Sequence, residues 1–209
     1  MLSPPARPRV QLFEHDELDS TNNEAKRMVR AAKDVPALYG CAVVTARRQS
    51  AGRGRNDKNF ASPGGGSVYA SFILAPPENP AEQHITMVAA VAVCEAIEAC
   101  TLYRPSIKWV NDIIVDSKKV CGILSETVPG AVVVGIGINI NINEEDFPKK
   151  LHGSAGSLTM EESVRNRFFD ELVETVFRLM KRRETEEAPI LDAYRARLVG
   201  PAGHEPLSV

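Results

Sequence analysis

A chain of 209 residues, 44% hydrophobic and 25% charged with a formal net charge of −2, reads as a globular protein long enough to bury one real core. The near-neutral balance argues against nucleic acid as a partner, and no apolar run approaches the ~20 residues of a membrane span. Cys41, Cys94, Cys100 and Cys121 include no C-x-x-C pair and the four histidines are scattered, which argues against a zinc site or disulfide framework and suits reduced thiols in a cytoplasmic protein. The start MLSPPARPRV carries prolines that block an amphipathic helix, so mitochondrial targeting has no support.

Residues 10–18, VQLFEHDEL, predict a strand. Ser20-Thr21-Asn22-Asn23-Glu24 then opens a helix with Ala25, Met28, Val29 and Ala32 on one face, and Thr21 with Glu24 has the spacing of a capping box. After Pro36 and Gly40, CAVVTARRQ (41–49) predicts a buried strand. It delivers the chain to QSAGRGRNDKNFASPGGGSV (49–68), which holds five glycines and three cationic side chains without helical or strand periodicity. Long irregular loops in compact domains are usually functional, and the alternation Gly52-Arg53-Gly54-Arg55 suits anion binding better than a linker.

VYASFIL (68–74) is the next strand, PPENP (76–80) a turn, and residues 81–100 a helix so apolar that it must pack against a sheet. SIKWV, DIIVD, KVCGILSE and AVVVGIGININI follow as strands with turns at Asp116-Ser117-Lys118 and Pro129-Gly130, an antiparallel meander. Residues 161–183 and 188–199 predict two amphipathic helices. The order gives an α+β fold with a single mixed, largely antiparallel sheet flanked by helices.

Gly135 to Ile140, GIGINI, lacks the third glycine of a dinucleotide-binding turn and no helix follows it; a Walker A signature is also absent. Glycines inside such a strand mark either close approach of a ligand or tight sheet packing, and the residues alone leave both open. KWVND (108–112) is either a site or a set of surface charges around the only tryptophan. Lys119, ahead of VCGIL, either serves a pocket or reaches solvent.

Read together, STN at 20–22, QSAGRGRNDKNF at 49–60, KWVND, KVCGIL at 119–124 and GIGIN at 135–139 resemble, in order, the motifs of the biotin protein ligases, over roughly residues 10–145. The resemblance implies a catalytic domain of the class II aminoacyl-tRNA synthetase-like biotin/lipoate ligase type spanning residues 1–200, with 201–209 the remnant or start of a missing C-terminal β-barrel. It implies a two-step reaction: biotin attacks ATP, with Mg²⁺, to give biotinyl-adenylate, and a lysine of a carboxylase's biotin carboxyl carrier domain then takes the biotinyl group. The first step brings an anion onto a polyanion, at about 4 kcal/mol per charge pair for ~4 Å and an effective dielectric of ~20, so cations must stand at the reacting centre.

By the same resemblance Lys119, Arg53 and Arg55 are catalytic, the loop at 49–68 being a lid over the adenylate. Ser20, Thr21, Asn22, Gln49, Gly52, Arg53, Lys119, Gly122, Leu124, Gly135 and Gly137 are implied around biotin. Arg53, Gly54, Arg55, Phe60, Lys108, Asn111, Asp112, Lys119 and Asn139 are implied around ATP, with Asp112 a Mg²⁺ partner. Val110 stands where the family has proline, Asp57 and Lys58 replace the loop's second Gly-Arg, and Phe60 replaces a tryptophan expected on adenine, which predicts weaker base and phosphate contacts. No helix-turn-helix segment precedes the domain, so DNA regulation is not expected. The rival readings are a lipoate or octanoate ligase of the same superfold and a catalytically idle adenylate-binding protein. The acceptor carboxylase and the presence of a homodimer stay open.

Overall fold

A computed structural model describes residues 10–55, 60–61, 66–76 and 82–200. The remaining loop positions (with Asp57 and Lys58), most of the 76–80 turn and the 201–209 segment lie outside the described residues. Eight strands and three helices form one sheet with helices on both faces: β1 Gln11–Leu18, α1 Thr21–Ala31, β2 Ala42–Gln49, β3 Val68–Leu74, α2 Glu82–Cys100, β4 Ser106–Lys108, β5 Asp112–Val115, β6 Lys118–Val128, β7 Ala131–Ile138, α3 Glu162–Arg195 and β8 Leu198–Val199. The strand order is β1-β2-β3-β7-β6-β5-β4-β8. Only β1/β2 and β4/β8 pair in parallel; every other pairing is antiparallel, as the meander required.

Alternation along the strands sorts side chains onto two faces. Val68, Ala70 and Phe72 of β3, Val134, Ile136 and Ile138 of β7, and Cys121 and Ile123 of β6 pack with α2 and α3 in the main core. α2 is apolar around its circumference because it is covered on both sides, by the sheet and by α3. On the opposite face Ala25 and Val29 of α1 pack against Ala42, Val44, Ile73, Ala131 and Val133. That smaller helix packs mainly on β2, β3 and β7, and the cavity lies on this face of β6 and β7.

Two expectations change at local level. Thr21 and Glu24 make no capping box: Ser20 is the N-cap without a side-chain bond, and Thr21 turns its hydroxyl to Gln49. The two expected C-terminal helices run on as α3 and meet at a kink at Glu186 (φ −138°, ψ 55°). Pro189 lies three residues on, and its ring cannot accommodate regular helix around Thr185. The second segment ends at Arg195 rather than 199, because Leu198 and Val199 pair with Ile107 and Lys108 as β8. Among the described residues no helix is long and apolar enough to cross a membrane. All four cysteines are free; burial pushes the Cys94 thiol up to about 12 and Cys121 well above its ordinary value, so both stay protonated.

Candidate active site

Three glycines open the sheet. On β6 and β7 the residues facing away from the main core include Gly122, Gly135 and Gly137, so the strands' own backbone forms the floor of a cavity of about 650 Å³. The space above each glycine is used by the protein itself. A Cβ at Gly135 would lie 2.1 Å from Asn22 Oδ1, and one at Gly137 would lie 2.7 Å from the Phe60 ring, which also stands 3.0 Å from a Cβ at Gly122. Phe60 meets Tyr69 edge-on at 6.4 Å, so its ring lies over the glycine floor.

One end of the cavity is neutral and polar. α1 begins at Thr21, which presents Ser20, Thr21 and Asn22, all under 5% exposed, toward β2 and β3. Gln49 Oε1 accepts from Thr21 N at 2.9 Å and from Thr21 Oγ1 at 3.2 Å. Ser71, fully buried on β3, lies 2.8 Å from Thr21 Oγ1 and 2.6 Å from Asn22 Oδ1. The Asn22 amide nitrogen donates to Leu124 O at 3.2 Å and to Glu126 Oε2 at 2.8 Å. Glu126 is also held by Lys26 at 2.8 Å and Arg53 at 3.5 Å. Burial alone pushes its carboxyl up, but the bonds from Lys26 and Asn22 and the nearby Arg53 charge outweigh it and leave the group below its ordinary value.

The other end is charged. Arg53, Arg55, Lys108 and Lys119 line the cavity with Asp112 as the one lining carboxylate among the described residues. Lys119 Nζ lies 2.7 Å from Asp112 Oδ1. A β-bulge makes this pairing reachable: Ile113 opposes Cys121 while Ile114 opposes Lys119, so Val120 is the extra residue. Val120 and Cys121 both point into the main core, and without the bulge Lys119 would share the face of Cys121. Within KWVND, Lys108 ends β4, residues 109–111 form the turn, and Asp112 opens β5. Asn111 donates to Ile123 O at 2.9 Å and accepts from Arg55 Nη1 at 3.5 Å, while Tyr194 donates to Val110 O at 3.1 Å. Trp109 is 57% exposed and meets Tyr194 edge-on, so it is a surface residue of the turn.

Every residue that the resemblance implies around biotin or ATP lines this cavity except Gly52, which is buried with its carbonyl accepting from Phe60 N at 2.9 Å. Sequence reasoning missed Ser71, Glu126 and Lys26, and also the segment 147–155, whose Phe147, Leu151 and Gly153 to Ala155 line the charged end. This segment is strapped to β6 by Lys119 N donating to Ser154 O and Gly156 N donating to Lys119 O, each at 2.8 Å. Asn139, 5% exposed, donates to Gly156 O at 2.9 Å, but its Oδ1 has no partner. An orphaned buried carbonyl at a cavity wall is a ready acceptor for a ligand N–H.

Comparison with known proteins places this geometry. The model of the Biotin/lipoate A/B protein ligase family matches residues 18–143. The bifunctional ligase/repressor BirA of Bacillus subtilis is 38% identical over 155 residues, 71% of this chain and 46% of its own length. The biotin–[acetyl-CoA-carboxylase] ligase of Paracoccus denitrificans is 39% identical over 127 residues, 56% of this chain and 50% of its own. The chain thus spans about half the length of the curated relatives it matches. Among solved structures, the Aquifex aeolicus biotin protein ligase in complex with biotin and ATP superposes with a TM-score of 0.76 at 28% identity, covering 90% of this chain and 78% of that one. With most of its length matched by the family model and the motif residues gathered in one cavity, this chain belongs to the biotin/lipoate A/B protein ligase family.

Proposed function

We propose that the protein is an ATP-dependent biotin–protein ligase acting in the cytoplasm. The observation that carries this reading is one cavity whose wall joins a set of buried neutral polar groups, Ser20, Thr21, Asn22 and Gln49, to a charged set, Arg53, Arg55, Lys108, Lys119 and Asp112. An uncharged ureido ring suits the first, and a triphosphate meeting a carboxylate suits the second.

In the first step a biotin carboxylate oxygen bonds to the α-phosphorus of ATP and the bond to the bridging oxygen breaks, releasing pyrophosphate. In the second, the amine of a carrier-domain lysine attacks the biotinyl carbonyl carbon, AMP leaves, and an amide forms. Lys119, Arg53 and Arg55 supply fixed positive charge where negative charge gathers, each exchanging an internal partner for the ligand: Asp112, Glu126 and Asn111 respectively. Asn139 Oδ1 accepts an N–H from the base. Residues 1–200 would serve as the catalytic domain.

Mg²⁺ belongs to this reading as the companion of ATP. Among the described residues no group of three or more His, Cys, Asp or Glu is arranged to hold a metal. A single cavity carboxylate therefore fits a cation that arrives on the phosphates, with Asp112 as its protein contact, and the ion would neutralise phosphate charge. Incubation with biotin, Mg-ATP and a biotin carboxyl carrier domain, followed by intact mass, tests the proposal. A gain of one biotinyl group is expected; modification by lipoate or octanoate instead, or none by any acid, overturns it.

A further inference from the structure

Glu126 is one carboxylate serving two cations. Lys26 of α1 reaches Oε1 at 2.8 Å with both side chains largely buried, at 11% and 20% exposure. Arg53, 43% exposed, reaches the same oxygen at 3.5 Å, longer than a well-made charge-assisted bond of about 2.7–2.9 Å. Oε2 is already occupied by the Asn22 amide. The two cations repel each other across a shared acceptor, and the nearer, drier one holds it.

We propose that Glu126 is the resting counter-ion of Arg53, and that Lys26 is the positioning residue that makes Arg53 free to leave it. Were Arg53 the only cation on this largely buried carboxylate, moving it into the cavity would strand an unpaired charge. With Lys26 in place the carboxylate remains compensated after Arg53 departs. Lys26 does not line the cavity, yet it sets how tightly a cavity arginine is parked. What Arg53 leaves for rests on the ligase reading above; the parking itself does not.

The test follows the chemical reactivity of Arg53 toward phenylglyoxal, read by peptide mass, in the wild type and in folded Lys26→Met, Glu126→Gln and the double variant. Lys26→Met concentrates Glu126 on Arg53 and slows its modification about fivefold, the range of an exposed ion pair. Glu126→Gln speeds it, and the double variant is at least as reactive as wild type. In the ligase assay Lys26→Met raises the KM for Mg-ATP by a similar factor, and adding Glu126→Gln relieves the increase. A pair that merely braces α1 against β6 lowers the melting temperature in both single variants and moves Arg53 reactivity in one direction only. That result, or wild-type reactivity in Lys26→Met, overturns the proposal. Should Lys26→Met not fold, Lys26→Gln against Glu126→Gln gives the same opposite-signed comparison. A wild type that releases no pyrophosphate refutes the ligase reading while Arg53 reactivity still decides this one.

Discussion

The two ends of the cavity are built on opposite principles. At the neutral end Ser71, Asn22 and Thr21 are at most 4% exposed, and each is bonded to other protein groups, so shape and hydrogen-bond direction exist before any ligand arrives. At the charged end the contacts are partly solvated pairs, Lys119–Asp112 at 37% and 25% side-chain exposure and Arg55–Asn111, and Arg53 reaches back to Glu126, which also holds Asn22. Such exposed pairs are worth about 0–1 kcal/mol each, so they exchange readily. Recognition of an uncharged ring gains from a rigid site, whereas charges that must follow a reacting phosphate gain from weak resting partners.

The most damaging way to break this division is Lys119→Ala, which removes the cation paired with Asp112 and leaves the neutral end untouched. Adenylate formation, followed as pyrophosphate release, should fall by about 10²–10³-fold, the loss typical of a transition-state charge donor. Biotin binding by calorimetry should persist. A folded variant with near-normal pyrophosphate release would remove Lys119 from the chemistry.

Gly135→Ala attacks the other end. The new methyl would lie 2.1 Å from Asn22 Oδ1, and Asn22 cannot yield without losing its bonds to Ser71, Leu124 or Glu126. Overpacking of this kind costs about 1–3 kcal/mol, so melting temperature and biotin affinity should drop together. Asn22→Ala should cost a similar 1–3 kcal/mol by leaving its buried partners unpaired. The double variant removes the clash along with the side chain, so its loss should be smaller than the sum of the two. Strict additivity in thermal melts would show that the two residues do not collide.

Much of this was legible in the sequence because charge and glycine inside apolar strands violate the rule that a strand residue packs or is solvated. Gly122, Gly135, Lys119 and the GRGR run stand out for that reason. Ser71 does not, since one small hydroxyl in VYASFIL looks like a spacer until the fold brings it to Asn22. Glu126 and Lys26 are 100 positions apart and each reads as an ordinary surface charge. The bulge at Val120 leaves no trace in composition, yet it decides which face Lys119 takes. Leu198 and Val199 continue the apolar spacing of a helix, and only their parallel pairing with Ile107 and Lys108, where Ile107 N also donates to Arg197 O at 2.7 Å, makes them a strand.

The smallest expected effect probes how firmly the charged end is anchored to the rest of the fold. Tyr194, 2% exposed, donates its hydroxyl to Val110 O within the KWVND turn while its ring meets the edge of Trp109. Tyr194→Phe removes the donor and keeps the ring, leaving a buried carbonyl unpaired at a cost of about 0.5–1.5 kcal/mol. The turn carries Asn111, which holds Arg55, and leads into Asp112, which holds Lys119, so a loosened turn is felt where the triphosphate sits. The KM for Mg-ATP should rise by up to about tenfold, the equivalent of 1.4 kcal/mol, with the biotin dissociation constant unchanged because Thr21, Asn22 and Ser71 are held by one another and by Gln49, Leu124 and Glu126. A fall in melting temperature with both substrates unaffected would mean that β4 and β5 hold the turn without Tyr194, and that the weakness of the charged end is confined to its side chains.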